Sequence, residues 1–242
     1  MAKLRLNKIL AQAGLTSRRG GDRLIVDGRV AVNGVTTREL ATLADPDVDV
    51  ITVDGEPVPA LQPKRYVLLH KPRGYVTTRH DPQGRPIVTE LVAGAGLYPV
   101  GRLDADVEGL LLLTNDGPLT HRLLHPRYEV PRLYEADVSG EVSQADLSRW
   151  RRGVELDDGP ARPMAVELLH AERGRSRVAL TFGEGRKHEV KRYCEALGHP
   201  VVRLRRVGFG PLRLGSLGLG ASRELTRQEV AALRTVVSQQ IP

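Results

Sequence analysis

Leu4, Leu6, Ile9, Leu10 and Ala13 fall near helical spacing, and Gly14 closes the run. This pattern predicts a helix over LRLNKILAQAG, residues 4–14. A second helix is expected over RRGGDRLIVDG through Ile25, capped by Thr16 or Ser17 and weakened by Gly20 and Gly21. Short apolar alternations then flank Asn33-Gly34, and another flanks Asp54-Gly55. Both dipeptides are hairpin signals. EPVPALQPKR carries three prolines and reads as a linker.

From Tyr66 the texture changes to many short strands. YVLLHKP reads as a strand stopped by Pro72, and LYEADVSG alternates so that Tyr134, Ala136 and Val138 share a face. SQADLSRWRRG reads as a helix capped by Ser143, and the apolar stretches on either side of Gly174 as two strands. HEVKRYCEALG sets Val190, Cys194 and Leu197 at helical spacing, with Gly198 as the stop. GRLDADVEGLLLLTNDG, residues 101–117, places four leucines between an acidic cluster and an Asn-Asp-Gly turn signal, as in a loop entering a buried strand. The expected fold class is α+β: a small helix–helix–hairpin domain over 1–62, then a domain with a mainly antiparallel sheet over 63–242.

Charge adds a partner class. The chain of 242 residues has a formal charge of +7, unevenly spread. Residues 1–38 hold eight Lys/Arg against two Asp, residues 39–62 hold six acids and no base, and residues 171–213 hold eleven Lys/Arg against four Glu. Two separate basic segments suggest a polyanion touched at two places. Aromatic residues are only 4%, too few for a wall of base-stacking platforms, so phosphate contacts should dominate affinity. A lone cysteine, Cys194, excludes an internal disulfide. No signal-peptide core opens the chain and no apolar run reaches bilayer length, so a cytoplasmic protein without membrane contact is expected, with a monomer as the default.

Candidate chemistry sits in three places. Lys8, Arg18, Arg19 and Arg23 lie on or beside the first two helices and Arg29 on the following turn. Arg18 and Arg19 would stand near a helix N-terminus, where backbone N–H groups and side chains can share a phosphate. Arg203, Arg205 and Arg206 form a second phosphate-binding candidate. Asp104, Asp106 and Glu108 alternate in the third place and admit three readings: a magnesium site, a general acid/base pair, or a single functional acid with solvated neighbours. His70, His121, His125 and His188 lack metal-ligand spacing with Cys194, so no zinc site is expected.

Longer stretches bring in a family. SRR (17–19) and the G-x-V-x-V-N-G run (28–34) resemble the α-L RNA-binding module. HKPRGYVTT, DPQGRPIV, GRLDADVEGLLLLTNDG, HPRY, RLYEADVSG and EGRKHEVKRYCEALGHPVVRLRRVGFGPL follow in that order. Together they resemble ribosomal-RNA pseudouridine synthases of the RsuA/RluB type, and the DPQGRP and HPRY wording is most similar to the large-subunit branch. The resemblance implies a pseudouridine synthase catalytic domain with Asp104 as catalytic aspartate and Tyr134 as active-site tyrosine. Lys191 falls where the family usually has an arginine paired with the aspartate. Lys keeps that charge without the bidentate fork, and the adjacent Arg192 is a second candidate partner. Val107 replaces a common Thr or Ser, and Arg132 a common Lys. Arg102 is a candidate to fill the gap left by a flipped base.

Isomerising uridine adds and removes nothing, so no cofactor is implied, and the implied partner is ribosomal RNA. Burial beside leucines would raise the pKa of Asp104 and a neighbouring cation would lower it; the Leu110–Leu113 strand is expected to wall a dry site. Two alternatives remain: a non-catalytic RNA-binding assembly factor, and a carboxylate glycosidase using Asp104 with Asp106 or Glu108.

Overall fold

The computed structural model describes residues 3–94 and 96–238. It divides into two compact units, Met1–Arg65 with Gly94–Leu97, and Tyr66–Ala93 with Tyr98–Pro242. The sequence pattern sets the break slightly earlier, at 62/63, and does not anticipate the short 94–97 excursion.

In the first unit, α1 (Leu6–Gln12) and α2 (Arg18–Val26) stand beside a four-stranded antiparallel sheet. The first helix is shorter than its apolar spacing suggests. Leu4–Arg5 is extended and pairs with Leu43–Ala44, and the Leu6 amide bonds the Thr42 carbonyl. Ser17 rather than Thr16 caps α2, accepting from the Gly20 amide at 3.0 Å. The glycine pair has a packing reason: a Cβ on Gly21 would lie 3.1 Å from the Asn7 Cα, so glycine lets the two helices close together. Asn33-Gly34 and Asp54-Gly55 both take positive φ, as type I′ hairpin turns require. The proline-bearing segment is not a free linker, since Val58 and Leu61 pack on the core of Leu6, Ile9, Leu10, Ile25 and Val30.

The second unit is built on a nine-stranded sheet. Its spatial order is Ala165–Glu172, Arg175–Phe182, Arg132–Ser139, Val201–Phe209, Glu108–Thr114, Tyr66–Lys71, Ser222–Glu224. Two short strands, Tyr98–Pro99 and Leu212–Arg213, pair off this path. All pairings are antiparallel except Val201–Phe209 against Glu108–Thr114. Leu110 to Leu113 are all fully buried, and burying each contributes roughly 2 kcal/mol. Leu110 and Leu112 join a core with Leu119 and Leu123 of α3 (Gly117–Leu124) and Leu233 of α6 (Arg227–Val236).

The Asn-Asp-Gly signal opens that third helix rather than a plain turn, because Asp116 caps it by accepting from the Leu119 amide. The helix α4 (Gln144–Arg152) carries the expected Ser143 cap, with Asp146 reaching back to the Ser143 amide. It presents Trp150 to Tyr193 of α5 (Glu189–Ala196), edge to face at 6.0 Å, while Phe182 meets the same tyrosine at 5.4 Å. This aromatic cluster, with buried Val190 and Cys194, fixes α5 by its inner face. Among the described residues no helix is long and apolar enough to cross a membrane.

Candidate active site

The Asp104 loop leaves the sheet at Tyr98–Pro99 and re-enters it at Glu108. Its backbone is gripped from below. Lys71, fully buried at the end of its strand, donates to the carbonyls of Pro72 and Asp104, each at 3.0 Å, and of Val107 at 2.8 Å. Burial pushes the Lys71 ammonium down to about 8, against which the nearby Asp106 and Asp104 charges act. Buried Thr77 donates to the Leu103 carbonyl at 2.6 Å and accepts from its amide at 3.2 Å. The Gly74 amide bonds Ala105, and the Val107 amide turns back to Asp104. With its carbonyls drawn inward, the loop presents the Asp104 side chain to a cavity of about 430 Å³.

Asp104, Tyr134, Lys191, Arg132, Arg206 and His188 line that cavity together. Tyr134 comes from the sheet's inward face, as its alternation predicts. Arg132 and Arg206 are both buried, and their bonds go to backbone: Arg132 to the Val130 and Gly183 carbonyls, Arg206 to the Leu110 carbonyl. Both guanidiniums lie over the Phe209 ring, at 5.7 and 5.4 Å. Burial lowers the Arg132 pKa from its ordinary value. Fixed positive charge of this kind suits phosphate or polarised carbonyl oxygens. The close approach that brings Arg206 here depends on Gly109, whose φ is +120°: a Cβ there would sit 2.2 Å from the Arg206 carbonyl oxygen.

The three alternating acids separate. Asp106 binds the Lys191 ammonium through both oxygens, at 2.8 and 2.7 Å. Glu108 is buried and accepts from Arg203 at 2.6 Å. Asp104 alone of the three lines the cavity, its side chain 34% exposed, with Oδ2 3.9 Å from Lys191 and Oδ1 3.6 Å from His188. No group of three or more His, Cys, Asp or Glu among the described residues is placed to hold a metal ion.

Several sequence expectations change here. Arg192 does not reach Asp104. One step along the helix turns it outward, and its guanidinium grips Asp158 at 2.9 and 2.8 Å. Of the three phosphate-binding candidates on this strand, Arg206 lines the cavity, and strand alternation places Arg203 and Arg205 on the opposite face, where they pair with Glu108 and Glu135. Leu110–Leu113 do not wall the site, because the strand carries them into the core, and Leu103, Val107, Leu124, Leu204 and Phe209 line the cavity instead. Arg102 is exposed and lines the cavity. In the first unit Arg18, Arg19 and Arg23 are exposed and Lys8 half-buried, whereas Arg29 is clasped by Asp54. No motif marks Lys71 or Thr77 in the sequence, although a lysine ending an apolar strand is itself a signal that something buried needs a donor. The sequence offers His188 only as a metal ligand, and nothing local marks its proximity to Asp104.

This arrangement agrees with what the chain resembles as a whole. Residues 65–196 match the RNA pseudouridylate synthase family and residues 4–50 the S4 domain. The chain belongs to the RNA pseudouridine synthases, which are isomerases. It is 47% identical over 236 residues to a protein of Aquifex aeolicus (strain VF5) described as an uncharacterized RNA pseudouridine synthase, spanning 96% of this chain and 94% of that one. It is 41% identical to the ribosomal large subunit pseudouridine synthase B of Bacillus subtilis (strain 168), spanning 96% of each. A crystal structure of a pseudouridylate synthase superposes with a TM-score of 0.68 at 31% identity, covering 95% of this chain and 99% of that one.

Proposed function

We propose that the protein isomerises a specific uridine of large-subunit (23S) ribosomal RNA, as a monomer in the cytoplasm, with Asp104 as the nucleophile. The carrying observation is the Asp104 carboxylate, which lines one cavity with Tyr134 and lies 3.6 Å from the His188 imidazole and 3.9 Å from the Lys191 ammonium. The likeness to the Bacillus subtilis large-subunit enzyme, end to end, supports the substrate. The cavity volume of about 430 Å³ is that of a small-molecule site and suits a single extruded nucleotide.

Exposed Arg18, Arg19 and Arg23 on α2, with Lys8, bind the RNA backbone, and these contacts offset the few kcal/mol that unstacking the base costs. Arg102 fills the gap that the base leaves. Tyr134 stacks on the uracil, while Arg132 and Arg206 face its carbonyls and the phosphate. Whether the Asp104 carboxylate attacks C1′ of the sugar or C6 of the base, the C1′–N1 bond breaks, the ring turns, C1′ joins C5, and the bond to Asp104 breaks before product leaves. C5 loses its proton and N1 gains one, so product and substrate are isomers.

The test is carbodiimide mapping of pseudouridine on ribosomal RNA from cells lacking the protein, complemented with wild type or Asp104→Asn. One large-subunit site should vanish in the deletion and return only with wild type. A site that persists in the deletion, or returns with Asp104→Asn, overturns the proposal.

A further inference from the structure

Resting on the catalytic reading of Asp104, we propose that His188 is a positioning residue: its protonated imidazole holds one oxygen of the Asp104 carboxylate, leaving the other toward the substrate, and turnover falls as that histidine loses its proton.

Lys191 is a weak partner for Asp104 as the site stands. Its ammonium makes two bonds of 2.8 and 2.7 Å to Asp106 and lies 3.9 Å from Asp104. A lysine is a point donor and cannot grip two carboxylates as a guanidinium fork would. The imidazole is nearer, with Nε2 3.6 Å from Asp104 Oδ1. The imidazole and the ammonium therefore address different oxygens of one carboxylate.

The backbone at His188 supports a role beyond ending a loop. Its φ of 52° and ψ of 25° are left-handed, a conformation that residues other than glycine rarely adopt. The residue stands in the N-cap position of α5, yet its side chain makes no capping bond. The turn is spent on aiming the ring into the cavity, where it faces Asp104.

The charges around the ring leave it to that aspartate. From the 101–107 loop come Asp104 and Asp106, the latter held by Lys191. Glu184 and Glu189, from the turn and first residue flanking the histidine, are engaged by Arg186 at 3.2 and 3.3 Å. The cations facing the cavity are Arg102 of the loop, Arg132 of one strand, Arg206 of the next, Arg186 of the turn and Lys191 of α5, with Lys71 below the loop. Asp104 is the acid that stands against the ring. Imidazole is the side chain that changes charge near neutral pH, so small shifts in this balance are felt there.

The experiment follows turnover from about pH 5.5 to 9 on an RNA that wild type modifies, together with the NMR titration of the His188 ring. His188→Asn is the main variant, because asparagine tolerates the left-handed backbone and carries no charge. His188→Lys restores a permanent one. Wild-type kcat should fall with rising pH. His188→Asn should lose about tenfold in kcat at low pH, keep KM, and lose that limb, and His188→Lys should remove the limb while recovering rate. In Asp104→Asn the ring should titrate at lower pH, since its carboxylate is gone.

An unchanged kcat profile in His188→Asn, or an unmoved ring titration in Asp104→Asn, overturns the inference. Wild type that makes no pseudouridine overturns the catalytic reading instead, a separate outcome, and the ring titration still judges whether Asp104 holds the histidine.

Discussion

The Lys71 ammonium lies under the backbone of Asp104, donating to its carbonyl oxygen at 3.0 Å while fully buried. The pairing is of ammonium with peptide, so its consequence for Asp104 is conformational. The same ammonium reaches Val107 at 2.8 Å, and the loop between is thereby closed over one charge.

Removing that charge should loosen the loop. Lys71→Met leaves buried carbonyls without a donor and is expected to cost about 3 kcal/mol, read from denaturant midpoints, with turnover falling alongside. The folded state lowers the Lys71 value from 10.5 to about 8. Between those values the unfolded chain holds more protons, so the wild type gains stability from this group as pH rises. The stability gap between wild type and Lys71→Met should therefore widen from pH 8 upward. A gap that narrows contradicts the burial argument.

Lys191 is bound principally by Asp106, and that bond holds the Asp106 carboxyl below the usual carboxylate range. A lowered carboxyl contributes stability above its ordinary value that is lost as pH falls through the lowered one. Lys191→Met should move the Asp106 titration upward, measurable by carboxyl NMR. It should also lower kcat/KM at least tenfold, about 1.4 kcal/mol of transition-state stabilisation. An Asp106 titration that stays put would mean the two groups do not pair in solution.

Arg192 tests the assignment by contrast. Its guanidinium belongs to Asp158, and with Arg186 it ties α5 to the 157–160 turn. Arg192→Ala should lower the melting temperature yet hold kcat within about threefold of wild type. A collapse of kcat in a folded Arg192→Ala protein would restore it as a partner of the aspartate.

The exposed arginines of the first unit should act on binding alone. Arg18→Ala with Arg19→Ala is expected to raise KM while kcat holds, and to reduce the salt slope of RNA affinity by about 1 for each phosphate no longer neutralised. An unaltered salt slope would remove these side chains from the RNA interface.

Much of this architecture was readable in the chain. Ser17 and Ser143 as caps, Asn33-Gly34 and Asp54-Gly55 as hairpins, and the alternation that brings Tyr134 inward all follow from local stereochemistry. Ordered motifs single out Asp104, Tyr134 and Lys191, and the structure gathers all three in one cavity. The segment after Glu56 packs where the sequence suggests a linker, because prolines mark a loop but do not say whether Val58 and Leu61 have a core to reach.

What only the tertiary structure decided is the partner of each charge. Asp104, Asp106 and Glu108 are equivalent as a string, yet one lines a cavity, one binds Lys191, and one is buried against Arg203. Their partners come from residues more than eighty positions away, and no local periodicity encodes which side of a distant helix or strand will arrive. The same reason takes Arg192 to Asp158 and brings His188 beside Asp104. Backbone direction follows from neighbours in sequence, whereas pairing energy depends on neighbours in space, and strand register and helix rotation in the folded unit set the second.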